Sequence, residues 1–200
     1  MKLYLNKPSP YARLVMVVAH EKGIAGRLQL EWTDPWKNPP ELCAANPFSR
    51  VPALVTDDGA VLVDSACICD YLDHLGGGRA LLPVAFEERT PVLQKYGRAR
   101  TLTDAAFGAV IERRFNPSGD EPALSARWIA AANSALDSME REPAAFQTAS
   151  PDLGDLALAV GLGYIDFRLK EMAWQQNRPN LAAWFKAIGT RTSMRATPHE

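Results

Sequence analysis

The sequence predicts an α/β unit of order βαβαββα followed by an all-α half, on three observations. A short apolar strand at residues 2–5 runs into an amphipathic helical pattern, and Asp58-Gly59 sits between two apolar segments as a hairpin signal. After Gly76-Gly77-Gly78, every long apolar pattern repeats at helical and not at strand spacing. The expected boundaries are 1–76 for the α/β domain, 77–86 for a linker and 87–200 for the helical domain.

Each element has a local cause. Ser9 as N-cap and Pro10 at the first helical position open a helix; Tyr11, Leu14, Val15, Val18 and Ala19 follow at helical spacing, and Gly23 stops it. Leu28 to Trp32 alternates as a second strand, the Pro-rich stretch from Asp34 to Pro40 reads as a loop, and a helical turn is expected from Glu41 to Ala45. Ala53-Leu54-Val55 and Ala60 to Val63 flank the hairpin turn, and Ser65 to Leu75 is an amphipathic helix ended by glycines. Strands separated by a helix imply a parallel pair, here extended by an antiparallel hairpin.

In the second half, helices are expected over 87–115, 122–141, 152–174 and 180–189. Val92, Tyr96, Ala99, Thr103, Ala106 and Val110 form one packing stripe. Asp152 and Asp155 read as a capping box, while Gly161 and Gly163 thin that helix for a close neighbour.

Composition narrows the function. With 47% hydrophobic residues, 22% charged residues and a net charge of -1 over 200 residues, the chain reads as an ordinary soluble protein and not as a nucleic-acid binder. No apolar run reaches signal-peptide or membrane-span length, so a cytoplasmic location without membrane contact is expected. Cys43, Cys67 and Cys69 fit no disulfide framework, and His20, His74 and His199 are scattered, so no metal is expected.

Three segments carry candidate chemistry. Ser9 taken alone is an N-cap, but a helix N-terminus after the first strand of an α/β unit stabilises an anion, and a serine hydroxyl donating to a thiolate would lower its pKa. Val51-Pro52 enters a strand; it reads either as an ordinary turn or as a cis bond that turns the Val51 backbone outward to pair with an extended peptide. Asp64-Ser65 reads as a cap, with Ser65 as N-cap, or as a recognition point for an amino-acid end, with Asp64 facing an ammonium group and Ser65 a carboxylate.

Ser9-Pro10-Tyr11-Ala12-Arg13, Arg50-Val51-Pro52, Asp64-Ser65 and the Asp152 to Asp155 cap resemble motifs of cytosolic glutathione transferases, a bacterial type with Ser-Pro-(Phe/Tyr)-x-Arg. The resemblance spans the chain. It implies a thioredoxin-like N-terminal domain, an all-helical C-terminal domain, glutathione as co-substrate and a homodimer. It assigns Ser9 to the glutathione sulfur, Val51 to the cysteinyl backbone with Pro52 as its glutathione-binding neighbour, Asp64 and Ser65 to the γ-glutamyl end, and Lys37 and Arg50, for which solvated surface charge is the competing reading, to the glycine carboxylate. Tyr11, Phe107, Arg113 and Trp174 are its candidates for a second-substrate pocket, with helix packing or surface exposure as the competing reading. Two departures stand out: Ser49 occupies a position where the family commonly has Gly, and Ser9 and Ala12 leave no thiol in the C-x-x-C slot of thioredoxins, which argues against dithiol chemistry.

The expected activity is therefore conjugation of glutathione to a small electrophile, in the manner of a detoxification enzyme. The alternatives are glutathione-dependent isomerisation or dehalogenation, and a non-catalytic docking protein with a basic face from Arg89, Lys95, Arg98, Arg100, Arg113 and Arg114.

Overall fold

The computed structural model describes residues 1–116 and 123–199. It divides into two compact units, Met1–Leu82 joined by the segment from Thr192, and Pro83–Arg191. The segment from Thr192 thus groups with the α/β unit, whereas the sequence assigns it to the helical half.

The first unit begins with β1 (Lys2–Leu5) and α1 (Pro10–Glu21), followed by β2 (Gln29–Trp32) and α2 (Pro40–Ala45). β3 (Ala53–Val55), β4 (Val61–Leu62) and α3 (Ser65–Leu75) complete it. The sheet order is β2-β1-β3-β4. β1 and β2 are parallel, with Leu3 opposite Leu30, while β3 runs antiparallel to both β1 and β4. The hairpin turns at Gly59, whose φ of +85° suits a residue without Cβ. Leu3, Leu5, Val15, Val18, Leu54, Ile68 and Leu72 are buried in this unit.

One ion pair holds the end of α3. The Lys22 ammonium lies 2.9 Å from Asp73 Oδ1 and donates to the Arg79 carbonyl at 2.9 Å. Asp73 also accepts the Leu81 and Leu82 N–H groups, at 2.9 and 2.8 Å. A Cβ at Gly76 would meet the Lys22 carbonyl oxygen at 2.9 Å, so the glycine there permits the close approach.

The second unit is helical: α4 (Phe86–Phe115), α5 (Ala123–Glu140), α6 (Leu153–Arg168) and α7 (Pro179–Ile188). The expected start of α5 at Pro122 lies outside the described residues. α6 stops at Arg168, short of the expected 174, because the chain breaks into a 3₁₀ turn at Lys170–Met172 and then takes a left-handed Ala173 at φ +42°. A last short helix, α8 (Thr192–Arg195), belongs to the first unit and carries no periodic signal of its own.

The core of the helical unit rests on α6. Asp152 accepts the Gly154 and Asp155 N–H groups, and Asp155 returns the contact by accepting the Asp152 N–H at 3.0 Å. Lys95 of α4 bridges both carboxylates, 2.5 Å from Asp152 and 3.0 Å from Asp155. At Gly161 a Cβ would meet Thr103 Oγ1 at 2.6 Å, so the thinning read from the sequence is where α4 crosses. Asp152→Ala, which removes a cap and a largely buried ion pair together, is expected to lower stability by at least about 2 kcal/mol. An unchanged urea midpoint would exclude that role.

Candidate functional site

The sheet topology brings the three candidate segments to one end. Ser9 follows the C-terminal end of β1, and the antiparallel pairing of Tyr4 with Ala53 places Pro52 beside it. The pairing of Leu54 with Leu62 sends β4 back toward the same end, so Asp64 and Ser65 arrive there too. Because β2 is parallel to β1, the Asp34 to Lys37 turn also emerges at this end. Ligands of α/β sheets collect at such carboxyl ends, where helix N-termini gather.

Ser9 is the N-cap of α1, 8% exposed, and its Oγ accepts the Ala12 N–H at 3.2 Å. With a lone pair used this way, the hydroxyl hydrogen is left to donate to another acceptor. Arg13, the last residue of the Ser-Pro motif, turns away to the C-terminal segment: its Nε donates to the Thr197 carbonyl at 2.5 Å, and burial lowers its guanidinium to about 10.

Val51-Pro52 is cis, and a second cis bond joins Val63 to Asp64. The Val51 side chain packs on the cluster of Tyr4, Leu42 and Ala53, in which Tyr4 is a buried residue of β1. Among the described residues, no backbone hydrogen bond outside the regular elements engages Val51. The N-cap of α3 is Asp64 and not Ser65: its carboxylate accepts the Ala66 N–H at 2.9 Å, and Ser65 is the first helical residue, 1% exposed. Asp and Ser cap equally well in sequence, and a one-residue shift of the chain decides between them.

Lys37 is exposed, 3.9 Å from Asp34, and the Arg50 side chain is exposed as well. Ser49 adopts φ +48°, the left-handed conformation that glycine takes without cost, and its Oγ donates to the Pro35 carbonyl at 2.9 Å. The departure at Ser49 therefore preserves a glycine-like turn. Ser49→Val, β-branched at positive φ, is expected to lose about 2 kcal/mol of stability, and Ser49→Gly much less. Equal thermal midpoints for the two variants would refute this.

Segment 8–75 matches the family model described as glutathione S-transferase, N-terminal domain, and 122–187 that described as glutathione S-transferase, C-terminal domain. A glutathione transferase family member from Pseudomonas fluorescens Pf-5, crystallised with bound glutathione, is 33% identical with a TM-score of 0.91, covering 100% of this chain and 98% of its own. The chain belongs to the glutathione S-transferase family. The same Pseudomonas target, with bound S-(propanoic acid)-glutathione, gives a TM-score of 0.87 at 33% identity over 100% of both chains. A glutathione S-transferase from Methylobacillus flagellatus KT with glutathione bound is 31% identical, TM-score 0.87, over 100% of this chain and 99% of its own. The uncharacterized GST-like protein YibF of Escherichia coli (strain K12) is 27% identical over 199 residues, 98% of each chain. This glutathione S-transferase family fold is a thioredoxin-like α/β domain with an all-helical C-terminal domain, as the sequence resemblance implies.

The residues expected from the sequence to line a second-substrate pocket divide. Tyr11 is half-buried. Phe107 packs its ring against Tyr164, with centroids 6.4 Å apart, and Arg113 forms an ion pair with Glu171. Trp174 fits the competing reading, helix packing: at 1% exposure, its ring edge lies on Phe185 and its indole N–H is donated to Asp166 at 2.7 Å. Its place in an apolar pattern does not distinguish an inward from a ligand-facing direction.

Burial raises the Asp166 carboxyl above the usual range, against the lowering effect of its bonds from Trp174 and Gln175. The folded state thus holds this proton more tightly than the unfolded one. Stability from this group falls as pH rises through that window and recovers as pH drops. Asp166→Asn removes the recovery, so acid loss of stability is expected to be steeper in the variant; parallel urea midpoints as the pH is lowered through the acid range would contradict it.

Asn46 escaped the sequence reading. It is buried at 3% exposure and bonded throughout the loop before Val51, although an Asn-Pro pair after a short helix is a recognisable helix-end signal. Among the described residues no group of three or more His, Cys, Asp or Glu side chains is placed to hold a metal ion, and no helix is long and apolar enough to cross a membrane.

Proposed function

We propose that this chain is a glutathione transferase that binds glutathione across the sheet end carrying Ser9, Val51, Pro52, Asp64 and Ser65, and conjugates it to a small electrophile. The observation that carries the reading is the convergence of those segments at one end of the sheet, in a family whose relatives hold glutathione. Ser9 donates its hydroxyl hydrogen to the sulfur while the N-terminus of α1 favours the anion, so more of the thiol is ionised near neutral pH. The thiolate attacks an electrophilic carbon, forming a carbon–sulfur bond. The leaving group departs with the electron pair, or the adjacent carbon takes up a proton. The S-(propanoic acid)-glutathione bound by the Pseudomonas relative contains a carbon–sulfur bond of that type.

Val51 pairs with the cysteinyl backbone, the Asp64 carboxylate meets the γ-glutamyl ammonium, and Lys37 and Arg50 supply cations for the glycine carboxylate. Tyr11, Phe107 and Arg113 are the candidates for the second substrate. A homodimer in the cytoplasm completes the reading. The docking alternative has less support: Lys95, Arg98, Arg100 and Arg113 of its basic face are each in ion pairs with Asp or Glu.

Calorimetric titration with reduced glutathione between about pH 5.5 and 8.5, a range that runs up to the pKa of an ordinary thiol, tests the reading. Binding with proton release, together with turnover of an aryl halide or activated alkene, is the expected result. Absence of binding across the range would overturn it.

A further inference from the structure

Resting on that reading, we infer that Asn46 is a positioning residue for glutathione: it shapes the 46–50 loop from within, so that affinity for the peptide depends on it while thiol ionisation does not. Asn46 ends α2, a helix seated on the sheet by Leu42, which packs with Tyr4 and Ala53. Its N–H donates to the Leu42 carbonyl at 2.6 Å, which ties it to that helix, and its own carbonyl accepts the Ser49 N–H at 2.8 Å. The side chain spans the rest of the loop: Oδ1 accepts the Phe48 N–H at 3.2 Å and Nδ2 donates to the Arg50 carbonyl at 2.8 Å.

The Arg50 carbonyl belongs to the peptide group that includes the Val51 N–H, so the Asn46 amide fixes the plane in which that N–H lies. Ser49 extends the same unit to the neighbouring turn through its bond to the Pro35 carbonyl, which precedes Trp36 and Lys37. Two loops at the proposed ligand end are thereby joined through a buried amide and a hydroxyl. None of these contacts reaches Ser9. A buried amide with this many loop partners holds one backbone arrangement, and a ligand recognised by main-chain pairing is sensitive to small rotations of that backbone.

Titration of reduced glutathione into wild type, Asn46→Ala, Asn46→Asp and Ser9→Ala, with proton release followed against pH, separates the roles. Asn46→Ala is expected to weaken binding roughly tenfold, with an unchanged midpoint of proton release and an unchanged kcat at saturating glutathione. Asn46→Asp keeps the acceptor for Phe48 but sets a carboxylate oxygen against the Arg50 carbonyl, and should weaken binding at least as much as Asn46→Ala. Ser9→Ala should show the opposite pattern, near-normal affinity with the midpoint of proton release moved to higher pH. Wild-type affinity in a folded Asn46→Ala, or a proton-release midpoint shifted as in Ser9→Ala, would overturn the inference. Should Asn46→Ala fail to fold, Asn46→Asp decides it: weaker binding at an unchanged midpoint supports the role, and wild-type binding refutes it. Failure of wild type itself to bind glutathione would remove the proposed function, an outcome visible before any variant is compared.

Discussion

Asp73→Ala is expected to lower folding stability by about 3–5 kcal/mol, the range for a buried ion pair broken from one side. The Lys22 and Asp73 side chains are 2% and 3% exposed, so neither charge falls back on solvent when its partner is removed. Asp73 does more than neutralise Lys22: its two oxygens accept the N–H groups of Leu81 and Leu82, themselves buried. Removing it strands an ammonium group and two backbone donors together. Lys22→Met strands less, because the Asp73 carboxylate keeps both N–H donors, and should cost less than Asp73→Ala. Urea unfolding ranks the two variants, and hydrogen exchange at Leu81 and Leu82 should lose protection first in Asp73→Ala. The reverse ranking would mean that the unpaired buried charge left on Asp73, and not the backbone anchoring, dominates.

Ser9→Ala is expected to reduce turnover about a hundredfold while leaving glutathione affinity within a few fold, in line with the loss of one well-placed donor to a developing or bound anion. Its stability cost is that of a lost N-cap, about 1 kcal/mol, because only the bond from the Ala12 N–H disappears. The two effects separate cleanly: a thermal midpoint reports the cap, and the pH dependence of kcat/KM for the electrophile at saturating glutathione reports the bound thiol. If the hydroxyl lowers the thiol pKa, the variant's kcat/KM profile rises at higher pH than that of wild type, since more alkaline conditions are then needed to ionise the sulfur. Ser9→Cys would put a second thiol in place of the donor. A variant with Ala at position 9 that keeps wild-type turnover and loses binding would assign Ser9 to recognition alone.

Much of the first unit was legible because its signals are local. Pro10 after Ser9, Gly59 in the hairpin and the alternation in β2 each act within a few residues, and the helix found between β1 and β2 forced the parallel pairing. The Asp152–Asp155 box was legible for the same reason. The errors have a common physical origin. Choosing Asp64 over Ser65 as cap depends on the path of the chain out of β4, and ending α6 at Arg168 depends on Trp174 turning back to Asp166. Neither is encoded within a helical turn.

What the sequence alone determined is the order of elements, the change from α/β to all-α after the glycines, and the candidate residues Ser9, Val51, Pro52, Asp64 and Ser65, because propensity, capping and periodicity are short-range. Tertiary structure alone decided that these residues share one sheet end, that Trp174 is core, that Ser49 supplies a glycine-like turn, and that Lys22 meets Asp73 and Asn46 meets Arg50. Strand register and the burial of a polar group follow from contacts between segments distant in the chain, whose free energy exists only once the sheet has assembled.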